Sequence, residues 1–120
     1  MYPEVFFKMN EIIAKGFYDT VVTGLLQFYE SMLENAKIEK RTTGKEKEMM
    51  LLYSCLSDNE KAVLLFFMRQ IIIDILSYVF GIIDGPCTFS IPNTEFKLFI
   101  NGEDSNMEMQ DSFLAYIEEL

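Results

Sequence analysis

The sequence predicts a mainly helical α+β domain, in which three or four helices pack with a two-stranded β-hairpin near the C-terminus. Apolar residues recur every three or four positions over the first 36 residues, the period of a helix face. "SDNE" at 57–60 and "DGP" at 84–86 bracket a further helical stretch, as a capping box and a glycine–proline stop do. After Pro86 the period falls to two, as in a strand. A chain of 120 residues suffices for one domain with its own core.

The first helix is expected over about 3–36. Phe6, Met9, Ile13, Phe17, Val21, Leu25, Phe28 and Met32 form its apolar stripe, with a complementary polar stripe from Glu4 to Glu34. Pro3 suits the first turn, where no N–H is needed. Unbroken, such a helix runs roughly 50 Å. A compact chain of this size is only about 35 Å across. Gly16 and Gly24 are the places for a bend, although the steady phase argues against a sharp break. The alternative is an overhanging helix that packs on another subunit.

Residues 37–47, "KIEKRTTGKEK", read as a basic loop. A short helix over about 46–56 carries Met49, Met50, Leu52, Tyr53 and Leu56. A third helix is expected over about 58–83, started by Ser57 and Glu60 and closed at Gly85. "CTFSI" and "EFKLFI", joined by "PNT", predict a hairpin over 87–100 whose apolar face must lie on the helices. "NGED" at 101–104 is a further turn. "SNME" at 105–108 reads as a second capping box, opening a last helix over 106–118 that packs through Phe113, Ala115, Tyr116 and Ile117.

Half the residues are hydrophobic and 14% aromatic. So small a domain leaves part of that surface uncovered, which points to a protein partner or a second copy of the chain. The net charge is −9 with no histidine, which disfavours nucleic acid and anionic membranes as partners. Residues 84–120 carry eight carboxylates against Lys97, a net of −7, while 37–47 hold half of the ten basic residues. A basic loop of this kind could meet an acidic patch on the same chain or on a partner. Cys55 and Cys87 stand in apolar sequence and read as buried free thiols of a reducing cytoplasm. "MYPEVFFKMNEII" lacks the basic leader of a signal peptide.

The most apolar stretch, "MRQIIIDILSYVF" at 68–80, contains Arg69, Gln70 and Asp74. Either charge would cost roughly 2.5–3.5 kcal/mol at a bilayer centre, so a membrane span is not expected. On a helix, Gln70, Asp74, Ser77, Gly81 and Asp84 line up as one polar stripe on an otherwise apolar, central helix. The stripe faces solvent or a partner element, or it forms a small polar site on Asp74 with Arg69, Gln70, Ser77 or Tyr78. Arg69 is five residues from Asp74, off the pairing distance of a helix.

The missing histidine removes the commonest general base, the Ser–His and Cys–His nucleophile systems and the commonest zinc ligand. Six scattered glycines form no phosphate-binding loop. "DSNMEMQDSFLA" has Met109 and Ala115 where a calcium loop needs glycine and glutamate. No catalytic residue, metal or cofactor is expected.

"LSDNEKAVLLFFMRQIIIDILSYV" at 56–79, with the strand pair and "MEMQDSFLAYI" at 107–117, resembles a small bacterial family of uncharacterised domains. Over about half the chain the resemblance places Arg69, Asp74, Tyr78 and Asp111 at matching positions. Ile73 stands where the family would have a histidine. The resemblance implies a small, mainly helical domain and no established activity. Together with the acidic C-terminal part and the surplus of apolar residues, this points to a non-enzymatic protein-binding module. One concrete form is an acidic protein that neutralises a basic partner, as immunity proteins do. The alternatives are a small-ligand binder or minimal enzyme around Asp74, and a homodimer assembled through the first helix or the apolar surface.

Overall fold

The computed structural model describes residues 2–35 and 44–120. Helix α1 (Tyr2–Phe17) passes through a π-helical turn (Tyr18–Thr23) into α2 (Gly24–Glu34). Then follow α3 (Gly44–Ser54), α4 (Asp58–Asp84), the short strands β1 (Phe99–Ile100) and β2 (Glu103–Asp104), and α5 (Met109–Glu118). The fold is α+β and mainly α, as the sequence predicts. Most of the expected basic loop lies outside the described residues, and Gly44–Lys47 open α3 instead.

The first helix does not break. Phe17, Thr23 and Gly24 all keep right-handed helical angles. From Tyr2 to Glu34 the rod runs about 50 Å, close to the molecule's longest dimension of 55 Å. The π turn is where the sequence reading loses its phase. The Gly24 N–H reaches back to the Asp19 carbonyl, a five-residue bond that widens the turn and rotates everything beyond it. Val22 and Leu33 therefore point inward, while Leu25 and Phe28, expected on the apolar stripe, face out.

Helix α4 begins and ends as its sequence dictates. Ser57 Oγ accepts the Glu60 N–H at 3.1 Å, and Glu60 Oε1 accepts the Ser57 N–H at 2.8 Å. At the other end Gly85 sits at φ 106°, a left-handed position open to glycine, and its N–H closes on the Gly81 carbonyl at 3.0 Å.

The strand pair is displaced from 87–100. Phe99 pairs with Asp104 and Ile100 with Glu103, antiparallel, around Asn101–Gly102. Both turn residues have positive φ, 52° and 81°, which matches the right-handed twist of a tight hairpin. "CTFSI" forms no ladder. Phe89 and Phe96 instead meet edge to face at 5.0 Å, so this segment folds back through side chains.

The last helix also starts later than 106, because the second capping box does not form. Asn106 and Met107 take positive φ, and Ser105 is drawn elsewhere. Its N–H donates to the Leu98 carbonyl at 2.9 Å, and its own carbonyl accepts Asn10 Nδ2 at 3.2 Å.

The core lies between α1, the π turn, the C-terminal half of α4, and α5. Ala14, Val22, Ile73, Phe80, Met109 and Phe113 are buried there. Phe80 takes Phe17 on one side and Phe113 on the other, edge to face, at 5.0 and 5.5 Å. At the opposite end α2, α3 and the start of α4 meet around buried Tyr53, whose hydroxyl donates to Glu34 at 2.8 Å. Burial, then the Glu34 carboxylate, push the Tyr53 hydroxyl up to about 12. Cys55 is exposed and Cys87 half-buried, against the expectation of two buried thiols.

Candidate functional site

Arg69 and Asp74 part company in the structure. The Arg69 guanidinium turns to Tyr18, donating to its hydroxyl through Nη2 at 2.6 Å and Nε at 3.0 Å. The Tyr18 ring in turn meets Tyr116 edge to face at 5.5 Å. Asp74 is exposed and accepts Gln70 Nε2 at 2.9 Å, across one helical turn. Tyr78 stands on open surface.

The polar stripe of α4 therefore divides. Gln70 and Asp74 face solvent, whereas Ser77, Gly81 and Asp84 are buried beneath α5. Gln110 Nε2 donates to the Ser77 carbonyl at 3.1 Å, and the Gln110 N–H donates to Asp84 Oδ2 at 2.7 Å. Helix α5 has no side-chain cap of its own at Glu108. A carboxylate from the end of α4 caps it instead, where the helix dipole favours negative charge. Asp84 Oδ1 is buried without a hydrogen-bond partner among the described residues. Burial holds this carboxyl above the ordinary carboxylate range. The Gln110 N–H pulls it back, the Asp111 charge adds to the rise, and the Met109 N–H opposes it. Gly81 provides the clearance: a Cβ there would strike Cys87 Sγ and come within 2.6 Å of Gln110 Nε2. This cluster anchors α5 to the end of α4.

Helix α4 is not the centrally covered element the sequence suggests. Its inner face enters the core, but Val63, Phe66, Phe67, Ile71, Ile75 and Tyr78 stay exposed along its outer side. Part of that side borders an apolar groove of about 590 Å³, built with Met32 of α2 and Met49 and Leu52 of α3.

Asp111 belongs to a different groove, of about 530 Å³, between α1 and α5. Ile12, Ala115 and Tyr116 give it an apolar lining, and the carboxylates of Glu11, Glu108, Asp111 and Glu119 stand around it. Among the described residues its single cation, Lys15, is committed to Asp19 at 2.8 Å on its own helix. The Asp19 hydrogen bond, and then its charge, raise the Lys15 ammonium above its usual value. The groove therefore presents a net negative rim over an apolar floor. Comparison with family models, curated proteins and solved structures finds no match.

Sequence reading reached Asp111 only, and missed Glu11, Ile12, Glu108 and Glu119. The signal is faintly present: positions 108, 111, 115 and 119 share one face of a helix. It acquires meaning only once α1 is laid beside that face. Among the described residues, no three or more His, Cys, Asp and Glu side chains gather as metal ligands.

Proposed function

We propose that the chain is a non-enzymatic protein-binding module that takes a basic partner into the α1–α5 groove. One observation carries this reading. Four carboxylates surround an apolar floor, and the groove's only cation among the described residues is already paired with Asp19. Such a surface selects a segment that presents an apolar side chain flanked by lysine or arginine. The floor supplies contact area, while the rim steers approach and discriminates against acidic competitors.

The acidic balance of residues 84–120 extends the same field beyond the groove. Masking the basic surface of a partner is the work of an immunity-type protein, and this is the form of the proposal that fits the charge best.

The reading is tested by using the full chain as bait in lysate of its source, at low and at high salt. A basic protein retained at low salt and released at high salt is the expected result. Rim charges exposed to solvent are screened beyond about 10 Å at 0.1 M salt. Retention that ignores salt, or capture of acidic proteins, contradicts it.

A further inference from the structure

Among the described residues, no element covers the outer side of α4. Val63, Phe67, Ile71 and Ile75 follow one another at four-residue steps, with Phe66 and Tyr78 beside them, each between 41% and 65% exposed. A row at this spacing is a ridge of the kind that packs into the groove of another helix.

The molecule as a whole has area to spare. Its accessible surface is 8889 Å², whereas a compact monomer of 14.0 kDa exposes about 6,700 Å². The excess, about 2,200 Å², exceeds the ~800 Å² each partner contributes to a standard interface and reaches the range of obligate dimers. The shape agrees: the radius of gyration is 18.3 Å, against about 13.6 Å for a compact chain of this length.

The polar residues of this face indicate what covers it. Gln70 and Asp74 stand four residues apart and already share one hydrogen bond of 2.9 Å. One supplies an amide donor and the other a carboxylate. A twofold axis crossing α4 near residue 72 brings Gln70 of each chain to Asp74 of the other, so the pair complements itself. A parallel arrangement would set carboxylate against carboxylate. By length and composition α4 is also apolar enough to span a membrane. Its inner face, however, is held in the core with α1 and α5, and lipid offers the Asp74 carboxylate no donor.

We infer that the outer face of α4 is a homodimer interface, covered by α4 of a second copy lying antiparallel across it. This surface shares no residue with the α1–α5 groove, so either can fail without the other. In the dimer each chain keeps its groove open, and the assembly carries two sites for a basic partner.

Sedimentation velocity on the full chain over a range of micromolar concentrations tests this directly. The expected species has twice the 14.0 kDa chain mass. Ile75→Asp and, separately, Phe67→Asp are expected to reduce it to the single-chain mass with the helical circular dichroism unchanged, since both side chains are exposed at 60% and 61%. A wild-type monomer at all concentrations overturns the inference. A dimer that survives both substitutions overturns it too. A wild-type monomer that floats with phosphatidylcholine vesicles also overturns it, and assigns the face to lipid.

Discussion

The Asp84 carboxylate, at the last residue of α4, accepts the Gln110 N–H at 2.7 Å and so caps α5 from another element. A helix of ten residues is marginal alone in water. This bond, with Phe113 and Met109 buried beneath it, fixes α5 against α4 and hence one wall of the α1–α5 groove. Asp84→Ala is expected to cost about 1 kcal/mol, as loss of a helix cap does, read as a lower urea midpoint. An unchanged midpoint would show that the cap contributes nothing.

The same residue gives a pH signature. Burial raises the Asp84 carboxyl in the folded chain. The protonation-linked part of its contribution is therefore complete below the pKa of the unfolded carboxyl and is lost as pH rises through the higher folded value. Asp84→Asn cannot ionise. The wild type should lose stability relative to this variant as pH climbs from about 4, the ordinary aspartate range. Urea midpoints for both proteins against pH give the comparison, and parallel curves would contradict the assignment.

Gly81→Ala should destabilise the fold although alanine is the better helix former. The new Cβ meets Cys87 Sγ and Gln110 Nε2 where α5 crosses α4. Overpacking of this kind costs about 1–3 kcal/mol. Thermal unfolding of the variant measures it, and a gain in stability would mean the crossing is looser than described.

Glu60 carries the opposite pH sign to Asp84. The Ser57 N–H, then the Ser57 side chain, hold the Glu60 carboxyl below its usual value. Its contribution is present above the unfolded pKa and disappears as pH falls through the folded one. Ser57→Ala is expected to cost about 1 kcal/mol at neutral pH and to shrink that acid-side loss. Denaturation at pH 7 and at acid pH separates the two effects.

Tyr18→Phe removes the acceptor that holds Arg69 at 2.6 and 3.0 Å. Bonds to charged groups of this kind are worth about 1.5–3 kcal/mol. The lower half of that range is expected here, because Arg69 is only half-buried. A shift in unfolding midpoint reads the loss, and restoration of the midpoint is not expected from any change at the solvent-exposed Gln70–Asp74 bond, which lies on the other side of α4.

What the sequence makes legible is local. Ser57 and Glu60 lie three residues apart, and Gly85 and Pro86 follow directly on α4, so both ends of that helix could be read from neighbours alone. The misreadings are of three physical kinds. Leu25 and Phe28 face outward because a π turn shifts a phase that periodicity assumes constant. Ser105 opens no capping box because its N–H is taken by the Leu98 carbonyl and Asn106 and Met107 turn to positive φ. The ladder forms at Asn101–Gly102, since turn geometry there outweighs the alternation of 87–100. The groove was least legible of all. Glu11 and Asp111 become neighbours of one cleft only through the packing of α1 on α5, and no short-range pattern encodes that packing.

In the proposed function, the acidic rim of this groove selects a basic partner. The most direct test of that selection compares the proteins captured by wild-type chain with those captured by a Glu108→Lys/Asp111→Lys variant, quantified side by side by mass spectrometry. Both exchanged residues flank the groove and neither lies in the buried core, so circular dichroism should be unchanged. Loss of a basic protein from the variant, at equal bait, is the predicted result. The same proteins recovered in the same amounts from both baits would contradict the account.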